Sequence, residues 1–118
     1  MDWRAEMNAK CASLPGAEWS DPWGGGHDCW KVGGKVFALQ GMEPSLTVKC
    51  RDVETAEMVR AASGATRAPC MHASWVRLPE GTDRDEAYHR IEASYDLIRA
   101  ALPRRLHDAL PARTSPGA

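Results

Sequence analysis

The stretch CWKVGGKVFALQ, residues 29–40, joins two apolar runs through Gly33 and Gly34. A two-residue loop of this kind suits a type I′ turn, because both central positions need positive φ and glycine adopts it without a Cβ clash. The turn then sets a register in which Val32 opposes Lys35, Trp30 opposes Phe37 and Asp28 opposes Leu39. Directly opposed residues share a sheet face, so Trp30, Val32, Phe37 and Leu39 gather on a core face with Lys35 at its tip. Cys29, Lys31, Val36 and Ala38 fall on the other face. A chain built round this hairpin has an antiparallel sheet with one face to bury.

Upstream, Trp3, Met7, Cys11 and Leu14 recur at helical spacing over residues 3–14, and Pro15 with Gly16 ends the helix. Residues 17–20 predict a short edge strand, followed by a glycine loop. Downstream, LTVKCR (46–51) alternates Leu46, Val48 and Cys50 with Thr47, Lys49 and Arg51, which predicts a strand with one apolar and one basic face. Asp52 caps a short helix through VETAEMVRAA, which Ser63-Gly64 ends. ATRAPCMHA reads as irregular or briefly extended, and SWVRLPE as a last strand with Val76 and Leu78 inward and Trp75 and Arg77 outward. Asp83, with Glu86 three residues on, marks the start of the final helix. Its stripe runs through Ala87, Tyr88, Ile91, Ser94, Tyr95, Ile98, Ala101 and Leu102, with Pro103 as its stop. Within that stripe Ser94 reads as a small packing contact and Tyr95 as a core ring whose hydroxyl needs a partner. RRLHDAL adds a short turn. The expected fold is an α+β two-layer sandwich, an antiparallel sheet with the N- and C-terminal helices packed on one face. Residues 1–110 form the single domain and residues 111–118 a flexible tail.

Composition narrows the function classes. The 118 residues are 43% hydrophobic with five tryptophans, enough for a real core. A net charge of −1, from 15 basic and 16 acidic side chains, excludes a strongly cationic protein that coats nucleic acid or membrane by charge alone. No segment approaches the roughly 20 apolar residues of a membrane span, and the N-terminus lacks the apolar core of a signal peptide. The chain reads as a cytoplasmic protein with no membrane partner, its oligomeric state left open with a monomer favoured. Cys11, Cys29, Cys50 and Cys70 form no CxxC pair, and without an export signal they read as four reduced, mostly buried thiols.

The polar residues leave one chemical pattern. Residues 29–77 hold seven basic side chains against four acidic ones, a local excess of base inside a slightly acidic chain. In the register above, Lys31, Lys49, Arg51, Trp75 and Arg77 share the outer face of the sheet, with Lys35 at the hairpin tip. Basic side chains neutralise phosphates, and an aromatic among them stacks on an unpaired base; a patch this small implies weak, salt-sensitive binding of DNA. The bland reading is a sheet face solvated by long charged side chains. The same face with Trp75 also suits a protein-interaction module of unknown partner. Metal ligation is poorly served: His27 and Cys29 share a face that Asp28 cannot join, and no spacing matches a zinc motif. Cys70 with His72 lacks the third group that would orient a nucleophile and base, and no phosphate-binding glycine signature appears. The expectation is a non-enzymatic protein without catalytic residues, metal or cofactor.

Five segments in order, LPGAEWSDPWG, CWKVGGKVFALQ, LTVKCR, APCMHASWVRL and SYDLIRAALP, resemble the bacterial MmcQ/YjbR family across residues 8–105. The resemblance implies a CyaY-like (frataxin-like) α+β fold and a DNA-binding role. By position it places the family's hairpin lysine and aromatic at Lys35 and Phe37 and its strand lysine at Lys49. It places the segment before the last strand at Pro69, His72 and Trp75, and the helix motif at Ser94, Tyr95 and Asp96. Where the family often has a further basic or amide residue before the tryptophan, this chain has Ala73 and Ser74, which thins the polar surface there.

Overall fold

The computed structural model describes residues 2–113. Among them, β1 (Glu18–Ser20), β2 (Asp28–Val32), β3 (Lys35–Gln40), β4 (Ser45–Lys49), β5 (Thr66–Arg67) and β6 (Trp75–Pro79) form one antiparallel sheet in the order β1-β2-β3-β4-β6-β5. Helices α1 (Trp3–Ala12), α2 (Val53–Ser63) and α3 (Arg84–Ala100) lie on one face, and a short α4 (Arg104–Asp108) follows. α1 packs on β2 and α3, α3 on β3 and β4, and α2 on β6. The sandwich is therefore two-layered, as the amphipathic pattern requires. No helix among the described residues is long and apolar enough to cross a membrane.

Local chemistry explains the element boundaries. Asp2, Asp52 and Asp83 each accept a hydrogen bond from the backbone N–H three residues on, capping α1, α2 and α3. Gly64, at φ 72°, closes α2 in the left-handed conformation. Leu14 falls outside α1, in the turn that Pro15 imposes.

The hairpin turn forms as its glycines demand, with φ of 58° at Gly33 and 82° at Gly34. Its register differs beyond the first two pairs. Val32 faces Lys35 and Lys31 faces Val36, but a β-bulge then sets Trp30 opposite Ala38, Cys29 opposite Leu39 and Asp28 opposite Gln40. Phe37 is the extra residue. Phe37 and Ala38 both turn toward the helices, fully buried, while Leu39 moves to the outer face and Gln40 turns in. The expected pairs Trp30–Phe37 and Asp28–Leu39 are thus corrected by one residue, and Ala38 changes face. Trp30 still looks toward the helices, its indole N–H donating to Asn8 Oδ1 at 3.0 Å.

The core joins both layers. Phe37 meets Tyr95 edge to face at 5.3 Å between ring centroids, a geometry that adds about 0.5–1.5 kcal/mol to area burial. Leu46, Val48, Val76 and Leu78 supply the sheet side and Met7, Ala56, Ala87 and Ile91 the helix side. Residues 111–118 were expected to form the tail. Residues 111–113 are instead held against α3: Arg99 Nη2 donates to the Pro111 carbonyl at 2.6 Å, and Arg113 pairs with Asp96 at 2.9 Å. Residues 114–118 lie outside the described residues.

Candidate nucleic-acid interface

The outer face of the sheet collects every other residue of β2, β3, β4 and β6. Lys31 stands on it opposite Val36, and Thr47 opposite Arg77. Lys49 stands opposite Trp75. This much of the expected basic face is present. Lys35 sits at the exposed hairpin tip.

Two expected members change role. β4 ends at Lys49, and Arg51 is left between the strand and the Asp52 cap of α2. Arg51 pairs there with Asp52 at 3.4 Å instead of joining the sheet face. Trp75 is the second. It is only 8% exposed, and it walls a groove together with the C-terminal end of α3. The most exposed indoles among the described residues are Trp19 and Trp23, at 55% and 63%. Neither carried a sequence signal, since both lie in the short β1 strand or its glycine loop.

The cations differ in how they are compensated. Arg77 approaches Glu43 at 3.9 Å, a long, solvated contact worth little. Glu18 stands opposite Lys31 in the β1–β2 register. Among the described residues Lys31, Lys35 and Lys49 have no carboxylate within ion-pair distance. Lys49 is the most constrained of the three. Its Nζ donates to Ser74 Oγ at 2.8 Å and lies 5.9 Å from the Trp75 ring centroid. Ser74 Oγ lies 2.9 Å from His72 Nδ1, which also accepts the Ser74 backbone N–H at 3.1 Å. His72 and Ser74 thus orient a lysine. Ser74 is only 2% exposed.

The helix motif reaches the same strand from below. Ser94 Oγ accepts from the Lys49 backbone N–H at 2.9 Å and donates to the Phe37 carbonyl at 2.6 Å. Past Ala38–Val48 and Leu39–Thr47, the β3–β4 ladder opens, and the hydroxyl bridges the gap the bulge creates. Sequence reasoning assigned Ser94 to packing only. Tyr95 finds the partner its hydroxyl needed in the Pro15 carbonyl, at 2.6 Å.

The polar residues near β2 serve structure. Asp28 accepts from Arg4 Nε at 2.8 Å, Asn8 Nδ2 at 2.9 Å and Trp19 Nε1 at 2.8 Å. Burial alone would raise its pKa; the hydrogen bonds from Asn8, Trp19 and Arg4, with the Arg4 charge, outweigh it and hold the carboxyl below its ordinary value. Arg4 also donates to the Gly41 and Gly26 carbonyls, so α1 staples the glycine loop to the sheet. Both Asp28 oxygens are thus engaged by hydrogen bonds. No group of three His, Cys, Asp or Glu side chains able to hold a metal occurs among the described residues. Cys11, Cys29 and Cys50 are buried and Cys70 is exposed. Burial pushes the Cys11 and Cys29 thiols up.

A family model described as YjbR matches residues 12–97 of the chain. The fold is similar to the crystal structure of Deinococcus radiodurans protein DR2400, which carries a DUF419 domain. The match covers 100% of this chain and 96% of that one, with a TM-score of 0.83 and 19% identity. At that identity the likeness concerns the fold. No curated protein matches the chain.

Proposed function

The chain belongs to the YjbR family, and on that premise we propose that it is a non-enzymatic DNA-binding protein whose contacts are made by the helix-free face of the sheet. The observation that carries the reading is the set of three lysines, Lys31, Lys35 and Lys49, which lack carboxylate partners among the described residues. An uncompensated ammonium on a sheet surface is free to displace counterions from a phosphate backbone. Arg77 adds a fourth cation whose partner Glu43 is 90% exposed and easily displaced. Arg51, beyond the end of β4 and paired with Asp52, and Trp75, largely buried beside Lys49, are left out of the proposed contacts.

Fluorescence anisotropy with labelled single- and double-stranded DNA tests this. Three or four phosphate contacts imply a slope of log K against log salt of roughly −3 on duplex. Lys31→Glu with Lys35→Glu should abolish binding at low salt, while Arg51→Ser should leave it unchanged. Absence of binding to either DNA at low salt, or equal binding by wild type and the double variant, overturns the proposal. A second reading, a protein-interaction module, is favoured by the exposed Trp19, Trp23 and Met42. It places the contact at the β1 edge rather than on the lysine face, so Trp23→Ala would then matter and Lys31→Glu would not.

A further inference from the structure

The C-terminal end of α3, the hairpin and Trp75 line an apolar groove of about 350 Å³ whose walls the DNA-binding reading does not use, although Lys35 belongs to both. Its walls are Val36, Trp75, Ile98, Leu102 and Pro103, and Lys35 stands at its rim. Leu102 is fixed in place by the turn, since Gly33 leaves no room between them: a Cβ there would stand 2.5 Å from Leu102 Cδ1. The volume lies at the low end of small-molecule pockets, about 300–1,000 Å³.

We propose that this groove binds a small amphipathic carboxylate, its apolar body against Trp75, Val36, Ile98 and Leu102 and its anionic head at Lys35. Charge complementarity carries the head. Lys35 lines the groove and has no carboxylate partner among the described residues, so its ammonium is the one charge there that a carboxylate can meet. The apolar walls decide the body. They offer almost nothing to a nucleobase edge, whose buried donors and acceptors would go unpaired. They suit a hydrocarbon or unsubstituted aromatic body with one charged end. The chain's own described C-terminal segment is not the occupant, because Pro111 meets Arg99 and Arg113 pairs with Asp96 and Glu92, leading back along α3.

Decanoate, titrated below its micellar concentration into ¹⁵N-labelled protein without nucleic acid, tests the proposal separately from DNA binding. Saturable amide shifts are expected at Lys35, Val36, Trp75, Ile98 and Leu102, with the Trp75 indole N–H among them. Decanol should bind about tenfold more weakly, as loss of one charge-assisted contact implies, and Lys35→Glu should cost decanoate about the same factor. Ala101→Trp, placed on the exposed rim, should block binding while leaving the thermal midpoint within about 2 °C of wild type, as for other surface changes. If Ala101→Trp fails to fold, Lys35→Glu alone carries the test. The proposal is overturned if shifts do not saturate, if they centre elsewhere, or if decanol binds as tightly as decanoate. Concentration-dependent dimerisation abolished by Ala101→Trp would assign the groove to a second copy. Displacement of decanoate by an acidic apolar peptide at lower concentration would assign it to a protein partner. Either result also overturns it.

Discussion

Ser94 Oγ serves two backbone groups that the bulged sheet leaves without each other, the Lys49 N–H and the Phe37 carbonyl. The side chain is fully buried, so water cannot replace it. Ser94→Ala should therefore lower stability by about 2–4 kcal/mol, the cost of leaving two buried groups unpaired, measured as a shift in urea midpoint at constant m. A loss under about 1 kcal/mol would mean that β3 and β4 close on one another and the hydroxyl only fills space. Asp28 makes a prediction of different kind. Its folded pKa is depressed, so its contribution to stability is complete above the ordinary value of 3.8 and is lost as pH falls through the lower folded value. Below pH 4, wild type should lose stability more steeply than Asp28→Asn, which binds no proton in that window; parallel curves would remove Asp28 from acid unfolding. Neither role was legible in the sequence. A serine in an apolar stripe and an aspartate at a strand start look like packing and solvation until the partners, 45 and 24 residues away, are known.

At the scale of elements, the reasons for success and failure separate cleanly. The Asp52 and Asp83 caps, the two-glycine turn and the inward parity of Val76 and Leu78 depend on residues within four positions of one another, and each is present in the structure. The bulge was not legible because VFAL is apolar at every position, so alternation carries no parity there. What selects it is tertiary: Phe37 must meet Tyr95, and Gln40 must turn in to donate to Asn8 Oδ1 at 2.8 Å. The turn itself allows a direct comparison. Gly33 combines positive φ with the Leu102 contact, whereas a Cβ on Gly34 meets nothing within 4 Å. Gly33→Ala should cost about 2–4 kcal/mol, from the left-handed backbone and the displaced leucine together. Gly34→Asn should cost less than about 1 kcal/mol, because asparagine tolerates that conformation. Equal losses in thermal midpoint at the two positions would show that the α3 end does not lean on the turn.

Across the whole molecule, the two-layer architecture followed from the order and amphipathicity of the elements, but the surface did not. Which cations are free depends on which strands become neighbours: Glu43 reaches Arg77 and Asp52 takes Arg51, while Lys35 and Lys49 face no acid. The same holds for what closes the domain. Arg99 is a guanidinium only 7% exposed, with no carboxylate partner among the described residues; it donates to the Tyr95 hydroxyl at 2.7 Å and to the Pro111 carbonyl at 2.6 Å. Tyr95 in turn donates to the Pro15 carbonyl, so one network ties the turn after α1 and the segment after α4 to α3. An uncompensated buried charge is tolerated only while its hydrogen bonds are made. Ending the chain at His107 removes the Pro111 acceptor and should destabilise the domain by about 1–3 kcal/mol, beyond what loss of Leu110 packing accounts for. In the full chain Arg99→Met should also destabilise, by about 1–2 kcal/mol. In the shortened chain the same substitution should be neutral or stabilising, because it replaces a buried, under-satisfied cation by a packed apolar side chain. The four proteins form a double-mutant cycle read by urea unfolding. A coupling near zero would mean that Arg99 draws its satisfaction from Tyr95 alone, and that the C-terminal segment rests on the helix without closing it.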